Sequence, residues 1–331
     1  MMMLSINILV VCLIGFSNYV HGQGEGKCDA AIDLTLLIDS SRSISSEDFK
    51  KGKEALTDIV NRLNIGVKKA GVAIINYASN LSLVAQTSVF EFDKGEIIKQ
   101  INELSHFRTN TATGNALALA KKYCEVRCRS LSKGIPRIFA IFTDGHSNEG
   151  QPVISAAQAL RNAPIEGEVF AIGIGNIGQK GRDELIGIAG DKANVMNIDS
   201  YLDLIGLSNA IATELCTFPA FISPETKTQT KVTGNNTRYY KMQTLHNVQK
   251  SGFFEIEVND IEGQSIIYTS TTNRKPTSYS SKSVSKRSAK GSNVYTTYVP
   301  ANAKNFYFSV KGVKSTINKS DFVVHVRPLD F

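Results

Sequence analysis

The chain has 331 residues, 42% of them hydrophobic and 8 of them proline, an ordinary globular composition long enough for about two domains. It excludes a disordered, collagenous or coiled-coil chain, and a net charge of +7 is too mild for a nucleic-acid binder unless it is concentrated. It is concentrated: residues 28–216 hold 20 basic and 22 acidic side chains, whereas 217–331 hold 16 and 7, so the two halves face different electrostatic partners.

First in chain order comes an apolar stretch from Leu4 to about Phe16, followed by small and polar residues. This is the layout of a secretory signal peptide over residues 1–22, with the mature chain starting near Gln23. Ser17 and Asn18 interrupt the run, which is short of the roughly 20 residues of a spanning helix. Cleavage is therefore favoured over anchoring, no later segment is apolar enough to span, and the expected product is soluble and secreted. Once Cys12 leaves with the signal, an even set of cysteines remains, and an oxidising compartment favours two disulfides. Cys28 with Cys216 would tie together the ends of one domain; Cys124 with Cys128 would join residues one helical turn apart. Cross-pairing stays open, because an i, i+4 bridge lies near the limit of disulfide reach. Asn80, Asn235 and Asn318 head N-x-S/T sequons, which agrees with secretion.

Residues 31–38, AIDLTLLI, form a nearly continuous apolar run, as in a parallel strand covered on both faces. A helix follows, with Ser45 and Asp48 as a capping pair and Phe49, Leu56, Ile59, Val60 and Leu63 on its apolar stripe. Further strands are predicted over 72–77, 81–86, 135–142, 169–174 and 195–198. Further helices are predicted over 94–104, 114–123, 153–162, 181–189 and 201–215. This alternation implies a doubly wound, mostly parallel α/β sheet. The short link near residues 78–80 implies one antiparallel edge strand.

In such a sheet, ligands bind beyond the carboxyl ends of the strands. Three predicted strand-end loops carry short oxygen-bearing side chains: Asp39-Ser40-Ser41-Arg42-Ser43, Arg108-Thr109-Asn110-Thr111 and Thr143-Asp144-Gly145. Hard divalent cations prefer oxygen donors, and magnesium keeps several waters, so two carboxylates, hydroxyls and water suit it best, with Mn2+ or Ca2+ as alternatives. With only two acids in the set, the ion would keep positive character and an open position for an outside carboxylate.

These motifs resemble the metal-ion-dependent adhesion site of the von Willebrand factor type A family, of the matrilin, collagen VI and integrin-inserted kind. The resemblance covers about residues 29–216. It implies a Rossmann-like fold and a ligand set of Asp39, Ser41, Ser43, Thr109 and Asp144, with the hydroxyls coordinating directly and one or both aspartates acting through water. One departure is Arg108, where many relatives have a small residue; from there it either crowds the site or contacts the ligand's acid. Taken singly, Ser41, Ser43 and Thr109 read as helix caps and Asp144 as a turn residue, but three elements at three strand ends jointly favour the metal site. His146 and Glu149 read as solvent-facing loop residues.

Residues 173–178 satisfy G-x-G-x-x-G after a predicted strand, so a nucleotide-dependent oxidoreductase is a rival reading. That fingerprint belongs on the first strand of its fold, and secreted chains rarely meet NAD. No Walker loop, H-E-x-x-H pair or G-x-S-x-G elbow occurs, so no enzyme is expected.

From Phe218 onward the helical period gives way to short alternating runs at 237–243, 253–258, 265–269, 294–299, 305–310 and 321–326, the pattern of a smaller all-β sandwich over 217–331. Residues 274–291 are basic and Ser-rich with no acid. They read either as a solvated loop or as a site for sulfated glycans or another polyanion, with Lys282, Lys286, Arg287 and Lys290 as its contacts. The sequence thus predicts a secreted adhesion or extracellular-matrix protein. Its expected partner is a matrix or cell-surface protein, collagen-like or otherwise, that presents an Asp or Glu to a bound cation. Metal-independent binding through a flank of the sheet and a structural, self-associating matrix role are the alternatives; nucleic acid and a membrane span are not expected.

Overall fold

The computed structural model describes residues 30–79, 83–85, 90–222, 227–233, 237–243, 252–262, 264–277, 286–287, 292–300, 303, 305–313 and 319–329. The expected signal segment 1–22, Cys28, Asn80, Asn235, Asn318, Lys282 and Lys290 lie outside them. No helix among the described residues is long and apolar enough to cross a membrane.

The first unit is a six-stranded sheet in the order β3-β2-β1-β4-β5-β6. Its strands are β1 (Asp33–Asp39), β2 (Gly71–Tyr77), β3 (Leu83–Ala85), β4 (Arg137–Thr143), β5 (Glu168–Ile174) and β6 (Val195–Ile198). All pairings are parallel except that of edge strand β3 with β2, as expected from the short 78–80 link. Every residue of β1 is buried, which is why its run is continuously apolar rather than alternating. Leu34, Leu36 and Ile38 enter one core with α1 (Ser46–Arg62), α2 (Lys94–Asn102) and α6 (Tyr201–Cys216). Leu37 enters the opposite core with α3 (Thr113–Arg127), α4 (Val153–Arg161) and α5 (Gly178–Ala189).

Local chemistry sets the element ends. Ser45 caps α1 by accepting from the Asp48 N–H at 3.0 Å, as its spacing predicts. Strand β4 begins after Pro136, which has no N–H for the ladder but whose carbonyl accepts from the Asp33 N–H at 2.9 Å. At the end of α3, Cys128 leaves the helix in extended conformation, and this departure accommodates the Cys124–Cys128 disulfide with 4.6 Å between Cα atoms. Cys216 is also disulfide-bonded. In the G-x-G-x-x-G run, Gly175 and Gly178 take positive φ and turn the chain from β5 into α5.

The second unit stacks two sheets, β12-β13-β10-β15-β8 and β11-β14-β9-β7. Its long members are β9 (Thr237–Gln243), β10 (Gly252–Glu262), β11 (Gln264–Ser270), β13 (Ser292–Val299), β14 (Asn305–Val313) and β15 (Lys319–Leu329). Alternation is clear in β15, where Phe322, Val324 and Val326 point into the core while His325 and Arg327 lie opposite Glu257 and Glu255 of β10. Three strands escape the sequence pattern: β7 (Ala220–Phe221), β8 (Lys227–Thr233) and β12 (Lys286–Arg287). Two are dipeptides, and β8, KTQTKVT, is an edge strand with hardly any apolar face.

Charge pairs join the units. Glu214, in the last turn of α6, accepts from Arg274 Nη2 at 2.5 Å and from Lys275 Nζ at 2.8 Å, and the Arg274 guanidinium also lies 5.2 Å from the Phe218 ring centre. Lys241 of β9 pairs with Glu168 of β5 at 2.8 Å. The first two cations of the basic tract are therefore taken up by an interface rather than offered to solvent or a polyanion. Lys286 and Arg287 pair in register with Val294 and Asn293 of β13. Replacing Glu214 by Ala would leave two partly buried cations without their acceptor. The expected loss is about 2 kcal/mol of unfolding free energy, read from urea denaturation of the full chain; an unchanged midpoint would mean that the pairing contributes no stability.

Candidate functional site

The strand order places the change of winding direction between β1 and β4, because the chain moves from β1 toward β2 and β3 on one side and from β4 toward β5 and β6 on the other. Their register sets Ile38 opposite Phe142, so Asp39, the last residue of β1, and Thr143-Asp144, at the end of β4, emerge side by side.

Strand β1 carries a buried carboxylate at each end, and the two are treated differently. Asp33 is 1% exposed and meets a full counter-charge: Arg129 Nε donates to its Oδ1 at 2.6 Å and the Arg129 backbone N–H to its Oδ2 at 2.7 Å. Asp39 is 2% exposed, and no cationic side chain among the described residues pairs with it. It accepts the Ser41 N–H at 2.9 Å and the Thr143 hydroxyl at 2.6 Å. Behind it lies an apolar cleft lined by Ile38, Phe49, Leu56, Phe142, Ile174 and Leu204. Burial there pushes the Asp39 carboxyl up to about 6, against the hydrogen bonds from Thr143 and Ser41. Burial likewise raises Asp144, opposed by its bond from Ser43.

Four of the five predicted donors form one network. Ser43 Oγ donates to Asp144 Oδ1 at 2.9 Å, so its single proton is used, and Ser41 Oγ, 3.0 Å away, is the donor to Ser43. Asp39 joins through the Ser41 backbone. Thr109 is brought alongside by main-chain bonds: the Arg42 N–H donates to the Thr109 carbonyl at 2.9 Å and the Arg108 N–H to the Ser40 carbonyl at 2.8 Å. The Thr109 hydroxyl itself accepts from the Ser79 N–H at 3.1 Å, which leaves it a second lone pair. Ser43 is exposed and Asp144 half-buried, so the row opens to solvent.

A second set of contacts holds these loops in place. The Thr111 carbonyl accepts from Ser147 Oγ at 3.0 Å and from the Asn148 N–H at 3.0 Å, while the Thr111 N–H donates to Asn148 Oδ1. Gly114 permits the approach, since a Cβ there would lie 2.1 Å from the Gln151 carbonyl oxygen. His106 stacks on Phe49 with ring centres 4.6 Å apart and reaches the Ser41 carbonyl at 3.3 Å. Sequence reading found none of Thr143, His106 or Ser40 as supports. Thr143 was detectable as a hydroxyl one residue before a loop acid, whereas His106 carries no local signal.

Among the described residues no group of three or more His, Cys, Asp or Glu could hold a metal ion. A cation at the β1–β4 junction would therefore depend on hydroxyl oxygens beside two carboxylates, a donor set for a hard ion. The fit is favourable on this chain's own terms, because a buried carboxylate without a counter-charge is stabilised by any cation that reaches it.

The described fold agrees with comparisons to known proteins. The family model described as von Willebrand factor type A domain matches residues 33–210. Matrilin-2 of Mus musculus is 31% identical over 197 residues, 58% of this chain and 20% of that protein. The collagen alpha-6(VI) chain of Homo sapiens is 29% identical over 187 residues, 56% of this chain and 8% of that one. The match thus spans a fifth or less of either relative. The solved structure of proximal thread matrix protein 1 from the mussel byssus aligns with a TM-score of 0.51 at 23% identity, covering 63% of this chain and 51% of that one, a likeness of fold.

Asp39 contributes to the pH dependence of the metal-free protein in the same sense as the other carboxyls raised by burial, Asp144 among them. Between about pH 4 and about pH 6 the folded state keeps a proton that the unfolded chain has released, so stability falls as pH rises through this window. The difference corresponds to roughly 3 kcal/mol from this one carboxyl. Denaturant unfolding in EDTA at pH 4.5 and 6.5 should show a shallower loss for Asp39→Asn than for the wild type; equal slopes would remove Asp39 as the source.

Proposed function

Because the chain belongs to the von Willebrand factor type A domain family, we propose that its first unit is a cation-dependent adhesion module that captures an acidic residue of an extracellular partner. The observation that carries this reading is the contrast within β1: Asp33 meets Arg129, whereas Asp39 is equally buried with no cationic side chain beside it among the described residues and faces a solvent-open row of hydroxyls. Asp39, Ser41, Ser43, Thr109 and Asp144 would hold a divalent ion, with Mg2+ the best chemical match. Such an ion supplies a Lewis-acid position that an outside carboxylate completes.

The chain's own residues do the rest. The Thr143 hydroxyl orients Asp39, the Ser147 and Asn148 contacts keep the Thr109 loop in place, and the half-buried setting of Asp144 limits competition from water. Matrilins and collagen VI chains are extracellular matrix proteins that contain this domain. That supports a secreted matrix protein without enzymatic activity, whose partner is another matrix or cell-surface protein, a collagen among the first to test. The C-terminal sandwich, held to α6 through Glu214, is a second contact surface; residues 282–290 are its proposed polyanion-binding stretch. Disulfide bonding of Cys216 fits an oxidising compartment and a Cys28–Cys216 closure of the first unit.

The test uses the full chain on immobilised matrix proteins, collagens included, in Mg2+ and in EDTA, with the wild type beside Asp144→Ala. Chelation and Asp144→Ala should each weaken capture at least about tenfold. The variant should remain folded by circular dichroism, because Asp144 lies in a loop beyond the core. Binding that survives both changes would favour the metal-independent flank of the sheet.

A further inference from the structure

The loops that carry the donor row also carry two arginines whose guanidiniums no described residue engages. Arg42 stands between Ser41 and Ser43, and Arg108 immediately precedes Thr109. Their backbone N–H groups bridge the two loops in opposite directions, Arg42 to the Thr109 carbonyl and Arg108 to the Ser40 carbonyl, so the two residues stand on adjoining stretches of chain beside the donors. Both are exposed, and neither guanidinium has a hydrogen bond or ion pair among the described residues. Arg108 also holds a positive φ of 58°, an uncommon conformation for a residue with a side chain, and its bond to Ser40 keeps it there. The acids nearest Arg42 in sequence do not pair with it: Asp39 is buried beneath the row, and Glu47 and Asp48 share the single charge of Lys51.

The arrangement can be read as a specificity. A divalent ion held by Asp39 and Asp144 keeps an open position for one outside carboxylate, and the two guanidiniums add positive charge on the neighbouring loops for a second. Arginine recognises carboxylates through paired N–H donors in a fixed fork, and a guanidinium is more weakly hydrated than an ammonium, which lowers the cost of that contact. Resting on the cation reading above, we propose that the site selects a segment with two acidic residues close together, one completing the cation's shell and the other held by Arg42 and Arg108. In an extended segment, residues two apart lie on the same face, so an acid-x-acid spacing presents both carboxylates to the site. A single acid uses only half of the site.

The test is fluorescence anisotropy of the full chain with two labelled peptides in a glycine-serine background, one carrying a single aspartate and the other a second aspartate two positions on. In Mg2+ the paired peptide should bind about tenfold tighter, the scale of one good charge-assisted bond. In the Arg42→Gln, Arg108→Gln double variant that ratio should fall to about two or less, with an unchanged thermal midpoint as the check on folding. Wild-type affinities within about twofold of each other, or a double variant that keeps the tenfold ratio, would overturn the proposal. If neither peptide binds, the cation reading fails and takes this one with it; EDTA-insensitive binding that still prefers the paired peptide and needs the arginines would remove the cation and overturn the two-point reading, leaving the arginines as an acid-binding pair by themselves. A sulfated oligosaccharide that displaces the paired peptide while the single-aspartate peptide stays bound would assign the arginines to a polyanion and also overturn the proposal.

Discussion

A buried carboxylate with no counter-charge is the constraint from which the rest of this molecule follows. Taking an ion out of water costs several kcal/mol unless something of opposite charge meets it. At the start of β1 Arg129 pairs with Asp33 and opposes the burial that still raises its carboxyl. At the end of the same strand two hydrogen bonds serve Asp39, and the carboxyl is pushed toward neutrality. A side chain so placed weakens the isolated fold and strengthens the hold on a cation. The position is also where the sheet changes winding direction, the one place in a doubly wound fold where loops from both halves converge on a ligand.

Convergence needs support, and most of it comes from main-chain bonds. The 39–43, 108–113 and 143–149 loops are joined through the Thr109, Ser40 and Thr111 carbonyls, and Gly114 lets α3 approach Gln151 closely. Side-chain hydroxyls are thereby left to face one another, and the Ser41–Ser43–Asp144 row uses the protons that a cation would release from that duty. The second unit is held on the far terminus of α6 by Glu214, so the helix that starts at Tyr201 is anchored at its end by the neighbouring sandwich.

Much of this was legible in the sequence, for identifiable reasons. A parallel strand buried on both faces must be continuously apolar, so β1, β4 and β5 stand out, and the alternation of strand and helix leaves few topologies. Four of the five oxygen donors were readable because each sits within a few residues of the end of β1 or β4, whereas Thr109, in the loop between α2 and α3, was readable only from the motif resemblance. What escaped depends on partners distant in the chain: His106 behind Ser41, Thr143 on Asp39, and Arg274 with Lys275 on Glu214. The last of these explains why part of a run that looked like a solvated basic loop is an interface. Strand β8 was missed because an edge strand has little to bury and so shows little alternation.

Anomalous diffraction at the manganese edge, from crystals of the full chain soaked in Mn2+, tests the central claim most directly. The account predicts one strong peak at the β1–β4 junction, within coordination distance of the Ser41 and Ser43 hydroxyls and directly or through water beside Asp39, Thr109 and Asp144. Only solvent between these groups at saturating Mn2+, with the Ser43–Asp144 hydrogen bond intact, would contradict it.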